Sequence, residues 1–170
     1  FSTLGTTSFT ADATVNSVTV GKGANSVAGN TVVGQNALDA SVTGANNTAV
    51  GYAALTELTT GANNTAVGGY SGDAITTGQA NTAFGYSSLS ATTTANYNTA
   101  VGRSALITNT TGSSNTAVGY NALDANTTSD YNTAVGAEAL GANTTGTRNC
   151  AFGYQALDAN TTASDNDAFG

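Results

Sequence analysis

The pentapeptide Asn-Thr-Ala-Val-Gly begins at Asn47 and returns at Asn64, Asn98, Asn115 and Asn132. Variants begin at Asn30 (NTVVG), Asn81 (NTAFG), Asn149 (NCAFG) and Asn166 (NDAFG). Each of these nine starts lies 17 residues after the one before, without an insertion. A globular domain with variable loops does not keep such a count, whereas a stack of like units must. Glycine holds the fifth place of all nine copies. Leucine holds the ninth place in seven of eight, with Gly72 the exception, and a Thr-Thr pair recurs seven times from Thr59-Thr60 to Thr161-Thr162.

A helical unit is excluded by the period, because helical repeats need roughly 33 residues or more. The Thr-Ala-Val segment favours a strand, glycine permits a bend after it, and Ala54-Leu55 supplies a second apolar station. The remainder of each unit is turn chemistry. One such coil cannot bury its apolar face alone. Stacked at a strand spacing of about 4.8 Å, nine coils rise roughly 43 Å and align like side chains. The expected fold is all-β, a parallel β-solenoid or β-roll with 17-residue coils over residues 30–170. Residues 1–29 leave the period and read as a lead-in strand from Phe9 to Val20 and a capping coil. Within them Val18-Thr19-Val20-Gly21 mimics the repeat word 13 residues early. Gly170 stops in mid-repeat, so the chain is expected to be a segment of something longer.

Alternation along the strand separates its side chains into two faces. Val33, Val50, Val67, Phe84, Val101, Val118, Val135, Phe152 and Phe169 are expected to form one core ladder. Leu38, Leu55, Leu89, Leu106, Leu123, Leu140 and Leu157 are expected to form a second. Asn30, Asn47 and their equivalents form a third, each amide bonding to the next. The column Ala49, Ala66, Ala83, Ala100, Ala117, Ala134, Ala151 and Ala168 then faces the other way. A solvent-facing column would tolerate threonine or lysine, so persistent alanine marks a candidate subunit interface, with three chains packed around a common axis. The alternative is a flattened monomeric coil with both strand faces internal.

Composition narrows the function. With a net charge of −7 and only Lys22, Arg103 and Arg148 basic, the chain lacks the footprint that nucleic acid requires. No apolar run approaches the roughly 20 residues of a membrane helix, and the start lacks the basic and apolar segments of a signal peptide. Histidine is absent and Cys150 is the single cysteine, which removes Ser-His-Asp and Cys-His catalysis. An enzyme is not expected, and neither is a cofactor or a catalytic residue. Asp39, Asp73, Asp124 and Asp158 share one station but never on adjacent coils, so they read as turn formers and not as a metal site. No lysine follows the glycines at phosphate-loop spacing.

Tyr52, Tyr86, Tyr120 and Tyr154 fall at one station on every second coil, with Gly69, Arg103 and Ala137 between them. These rings either fill space over the smaller neighbour or form a candidate exposed aromatic row for sugar rings, which Tyr97 and Tyr131 could extend. Arg148 and Asp165 occupy one station on adjacent coils and suit an ion pair. An ice-binding solenoid is a minor alternative, in which Asn126 and Thr128 would supply two outward ranks.

The segment NSVTVGKGANSVAGNTVVGQNAL and the repeated NTAVGYxAL resemble the repeat region of bacteriophage tail fibres, especially of phages infecting aquatic bacteria. More distantly they are similar to the head of trimeric autotransporter adhesins, whose word resembles NSVAIG. The likeness spans about residues 16 to 170, and the coil of 17 departs from the shorter adhesin repeat. It implies a homotrimer placed on a virion or otherwise at the cell surface. It also implies a structural part in host attachment, with a host receptor met by a distal region outside this chain. A bacterial surface adhesin or extracellular filament subunit is the alternative.

Overall fold

The computed structural model describes residues 12–170. An N-terminal hairpin of β1 (Ala13–Val15) and β2 (Val18–Gly21) leads into nine further strands. These are β3 (Thr31–Gly34), β4 (Thr48–Val50), β5 (Thr65–Val67), β6 (Thr82–Phe84), β7 (Thr99–Val101), β8 (Thr116–Val118), β9 (Thr133–Val135), β10 (Cys150–Phe152) and β11 (Asp167–Phe169). All eleven form one sheet in chain order. From β3 onward every pairing is parallel and joins a residue to its counterpart 17 later, as in Thr48↔Thr65, Ala49↔Ala66 and Val50↔Val67. The protein is therefore a parallel β-solenoid of 17-residue coils, and the one helical element among the described residues is a 3₁₀ turn at Ala24–Ser26.

Only three or four residues per coil are strand, yet backbone pairing continues around the turns. In the coil opened by Asn98, the N–H groups of Thr99, Leu106 and Thr110 donate forward to Asn115, Ala122 and Thr127 at 2.8–3.0 Å. Those of Gly102, Ser104 and Ser114 donate backward to Phe84, Tyr86 and Asn96 at 2.7–3.0 Å. Such alternation needs repeated changes of backbone hand. The seventh, ninth and seventeenth residues of each coil sit in the left-handed region, as Asn121 (φ 52°), Leu123 (φ 53°) and Tyr131 (φ 62°) show. That conformation costs an L-residue about 1–2 kcal/mol and is worst for β-branched side chains. No valine, isoleucine or threonine occupies any of these three columns, although the chain is rich in threonine and valine. Gly72 takes the leucine place with φ 56°, and the space it leaves is filled by Ile75 and Leu55.

The two strand faces are disposed oppositely to the expectation from side-chain size. The alanine column from Ala49 to Ala151 is completely or almost completely buried, and joins the leucine column in one core. The valine and phenylalanine column points outward, with Val33, Phe84 and Phe169 at 38%, 54% and 77% exposure. Valine and phenylalanine are therefore not the core ladder, and alanine, enclosed within its own chain, is not a subunit interface. The first coil shows this with one residue type, since Val32 is 0% exposed at the alanine station while Val33 lies outside. The physical reason is space. A short coil bent at three left-handed places encloses a narrow interior already taken by leucine. From the second coil on, the side chain the strand turns inward is its smallest, alanine, and only the first coil admits a valine there.

The N-terminal segment is also not one strand. Asn16 and Ser17 both have positive φ (49° and 66°), the geometry of a two-residue hairpin turn, and β1 folds back on β2. The early repeat word forms β2 and pairs antiparallel with β3, Val20 opposite Val33, instead of adding a parallel coil. It thereby covers the first edge of the stack, which would otherwise offer unpaired backbone. The Asp12 carboxylate accepts the N–H groups of Lys22 and Gly23, both at 2.7 Å, and secures the turn after β2. The start of the expected lead-in strand, Phe9 to Ala11, lies outside the described residues.

The left-handed leucine column generates a test. Leu123→Ile conserves volume and would normally cost less than about 1.5 kcal/mol. Here the branch at Cβ meets φ 53°, and the expected loss is about 2–3 kcal/mol. Urea denaturation of the two proteins measures it.

Candidate functional site

Two surfaces and two internal ladders carry the chemistry of the coil. The first ladder is the column of asparagines that opens each repeat. From Asn30 to Asn149 each Asn Nδ2 donates across its own coil to the carbonyl 14 residues on, as Asn98 to Gly112 at 2.9 Å and Asn115 to Ser129 at 2.8 Å. Each Oδ1 accepts the backbone N–H of the next asparagine, as Asn98 from Asn115 at 3.0 Å and Asn115 from Asn132 at 2.9 Å. One side chain thus closes its coil and fastens the next. A second ladder begins at Thr92 and runs through Asn109, Asn126, Asn143 and Asn160, where the first coils carry Leu58 and Ile75. It donates to the same carbonyls, with Asn109 Nδ2 2.9 Å from Gly112 O, so both oxygen lone pairs are used. Asn126 is 0% exposed, so it does not pair with Thr128 as an outward rank. The threonines that follow this ladder in each coil do similar work, with Thr110 Oγ1 donating to Thr127 O at 3.0 Å.

The first surface is the outer face of the sheet. Thr31, Thr48, Thr65, Thr82, Thr99, Thr116 and Thr133, then Cys150, run beside the valine and phenylalanine column. From β3 to β10 this face carries no ionisable side chain except the thiol of Cys150, and Asp167 is the first carboxylate on it. Phe152 and Phe169 stack in parallel, centroids 5.5 Å apart.

The second surface is the tyrosine row beyond the glycine corner. Tyr52, Tyr86, Tyr120 and Tyr154 are all exposed. The row is not uniform. Tyr70, one residue out of step, lodges between Tyr52 and Tyr86 in edge-to-face contact with both, at centroid distances of 5.2 and 5.9 Å. A Cβ at Gly69 would lie 3.5 Å from the Tyr86 ring, an ordinary van der Waals contact, so the cluster does not require glycine there. The shift of tyrosine by one place, with glycine in its usual position, was the sequence signal for this cluster. Farther along, the Arg103 guanidinium lies 5.5 Å from the centre of the Tyr120 ring, while Tyr97 and Tyr131 are exposed near the far end of the coil. Arg148 and Asp165 form the expected ion pair at 2.6 Å; with both side chains mostly in solvent it stabilises little.

Among the described residues, no three cysteine, aspartate or glutamate side chains gather as a metal-ligand set. No helix among the described residues is long and apolar enough to cross a membrane. The aspartate station does place two carboxyls in partly buried positions. Asp124 is pushed above the usual aspartate range, first by burial and then by the Glu138 charge, against hydrogen bonds from its own and the Ala125 N–H. Asp165 moves the other way because Arg148 donates to it.

These features yield two expected outcomes. Asn115→Leu leaves the buried Asn132 N–H without its acceptor, at about 1–3 kcal/mol, and takes one of two donors from the Ser129 carbonyl, which keeps its bond from Asn126. Thermal denaturation should show a large loss, against almost none for exposed Thr128→Ser. For Asp124, the folded chain binds its proton more tightly than the unfolded chain does. Its contribution is fully present below the ordinary aspartate range and is lost as pH rises through the raised folded value. Asp124→Asn should therefore raise the melting temperature at neutral pH and flatten the acid limb of the stability profile.

Comparison with models of protein families, with curated proteins and with solved structures finds no match to this chain.

Proposed function

We propose that this chain forms part of the shaft of a bacteriophage tail fibre, a homotrimeric structural element that holds a distal receptor-binding region out toward a bacterial surface. The single observation that carries the reading is the unbroken in-register stack from β3 to β11, which converts 17-residue coils into length and stiffness. The repeated NTAVGYxAL word supports the same reading through its resemblance to fibre repeats. The outer sheet face offers the place for three copies to meet. Chains of net charge −7 repel one another over most of their surfaces, and the Thr and Val/Phe columns bring no carboxylate pair together from β3 to β10. Only a partner with the same coil rise meets every coil alike, and another copy of the chain has that rise. Phe84 and Phe152 are the large apolar anchors available to such a contact. A bacterial surface adhesin or filament built on this coil uses the same face and differs in where it is anchored.

Sedimentation equilibrium tests the assembly. The chain is expected to be trimeric. Phe84→Asp with Val101→Asp should yield a monomer whose circular dichroism is unchanged, since both side chains lie outside the coil. A wild-type chain that stays monomeric at every concentration removes the trimer. Antibodies to the chain that decorate tails in electron micrographs of phage support the fibre, and labelling confined to a bacterial envelope transfers the reading to the adhesin.

A further inference from the structure

The repeat breaks its own rules most heavily in the coil of residues 64–80. This coil alone carries glycine at the sixth place (Gly69), tyrosine at the seventh (Tyr70) and glycine at the ninth (Gly72). The outcome is a shallow cavity of about 230 Å³ against the preceding coil, lined by Ala53, Thr56, Glu57, Tyr70, Asp73 and Ala74. One wall is the Tyr70 ring, held from both sides by Tyr52 and Tyr86, so its position is fixed before anything binds. The two carboxylates stand on adjacent coils, brought together where the Glu57 N–H donates to the Asp73 carbonyl at 3.0 Å. Asp73 Oδ1 has no hydrogen-bond partner, and no other buried side-chain polar atom among the described residues lacks one. A carboxylate oxygen without a donor calls for an explanation. Burial pushes this carboxyl above the usual aspartate range, against hydrogen bonds from its own and the Ala74 N–H, and the Glu57 charge adds to the rise.

We infer that this cavity is a binding subsite for one uncharged pyranose ring, with Tyr70 as the stacking platform and Asp73 and Glu57 as acceptors for ring hydroxyls. A sugar ring presents C–H groups on its face, which suit the electron-rich face of an aromatic ring. It presents hydroxyl donors at its edge, which an aspartate and a glutamate can only accept. Ala53 and Ala74 keep the floor apolar, and the Thr56 hydroxyl, already donating to Ala53 O at 2.7 Å, has an oxygen free to accept. Sugars bearing a carboxylate are rejected by the two like charges. The site sits on the side of the stack, apart from the outer sheet face, and does not depend on how copies assemble.

The test uses the whole chain with methyl glucopyranoside, methyl galactopyranoside and methyl mannopyranoside, and methyl glucuronide as the anionic control. Chemical shifts are followed in an isotope-labelled sample. At least one neutral glycoside should move the Ala53, Tyr70 and Ala74 resonances in a saturable way, with a dissociation constant of about 1 mM. The glucuronide should not. Tyr70→Ala and Asp73→Asn should each weaken binding by about tenfold or more, with the remaining spectrum unchanged, while Tyr154→Ala leaves it intact. No saturable shift with any neutral glycoside overturns the inference, as does undiminished binding by both variants or binding of the glucuronide alone. A monomeric chain that binds sugar keeps this site and removes only the trimer.

Discussion

Each coil is held to its neighbours by hydrogen bonds between residues 17 apart or nearly so, and the opening asparagine is where closure and stacking meet. Its amide nitrogen ties the start of a coil to that coil's own last bend, and its oxygen receives the next coil's backbone. Both partners are buried main-chain groups that would be costly to leave unpaired. The ladder therefore forces the coils into one register. A slip by one residue would present threonine where asparagine must stand and break two bonds at every step.

That constraint explains the strain elsewhere. To return the chain to its starting point after 17 residues while sending N–H groups alternately up and down the stack, three places per coil adopt left-handed backbone. The cost is offset by backbone pairing around almost the whole turn, since each bent residue also donates to a neighbouring coil, as Leu123 donates to Ala139 O at 3.0 Å. The glycine corner is a different case. A Cβ on Gly68 would lie 2.6 Å from the Gly85 carbonyl oxygen, so close approach of two backbones, as well as φ 133°, keeps the fifth column free of side chains.

The interior is thin, and its character changes along the rod. Leu58 and Ile75 fill it near the start, and the Asn109 to Asn160 ladder fills it later, with hydrogen bonds in place of apolar contacts. The outer face stays uniform while the inside varies. Geometry imposed by the period is thus retained whether the filling is apolar or fully satisfied polar. Local departures, such as the coil of residues 64–80, create distinct surface without disturbing the stack.

The period was legible in the sequence alone, and with it the parallel register, the leucine and asparagine columns and the position of the glycine corner. Like residues recurring at one interval can satisfy one another only by lying over one another. The left-handed columns were not legible, because β-branched residues are absent from them but equally absent from the asparagine column and from the column Ala37 to Ala156. Which strand face points inward was decided by tertiary structure. Alanine and valine columns are equally regular, and only the width of the closed coil determines which side chain fits. The Tyr52–Tyr70–Tyr86 cluster belongs to the same class, because a shift of one place along the chain becomes contact only once adjacent coils are stacked.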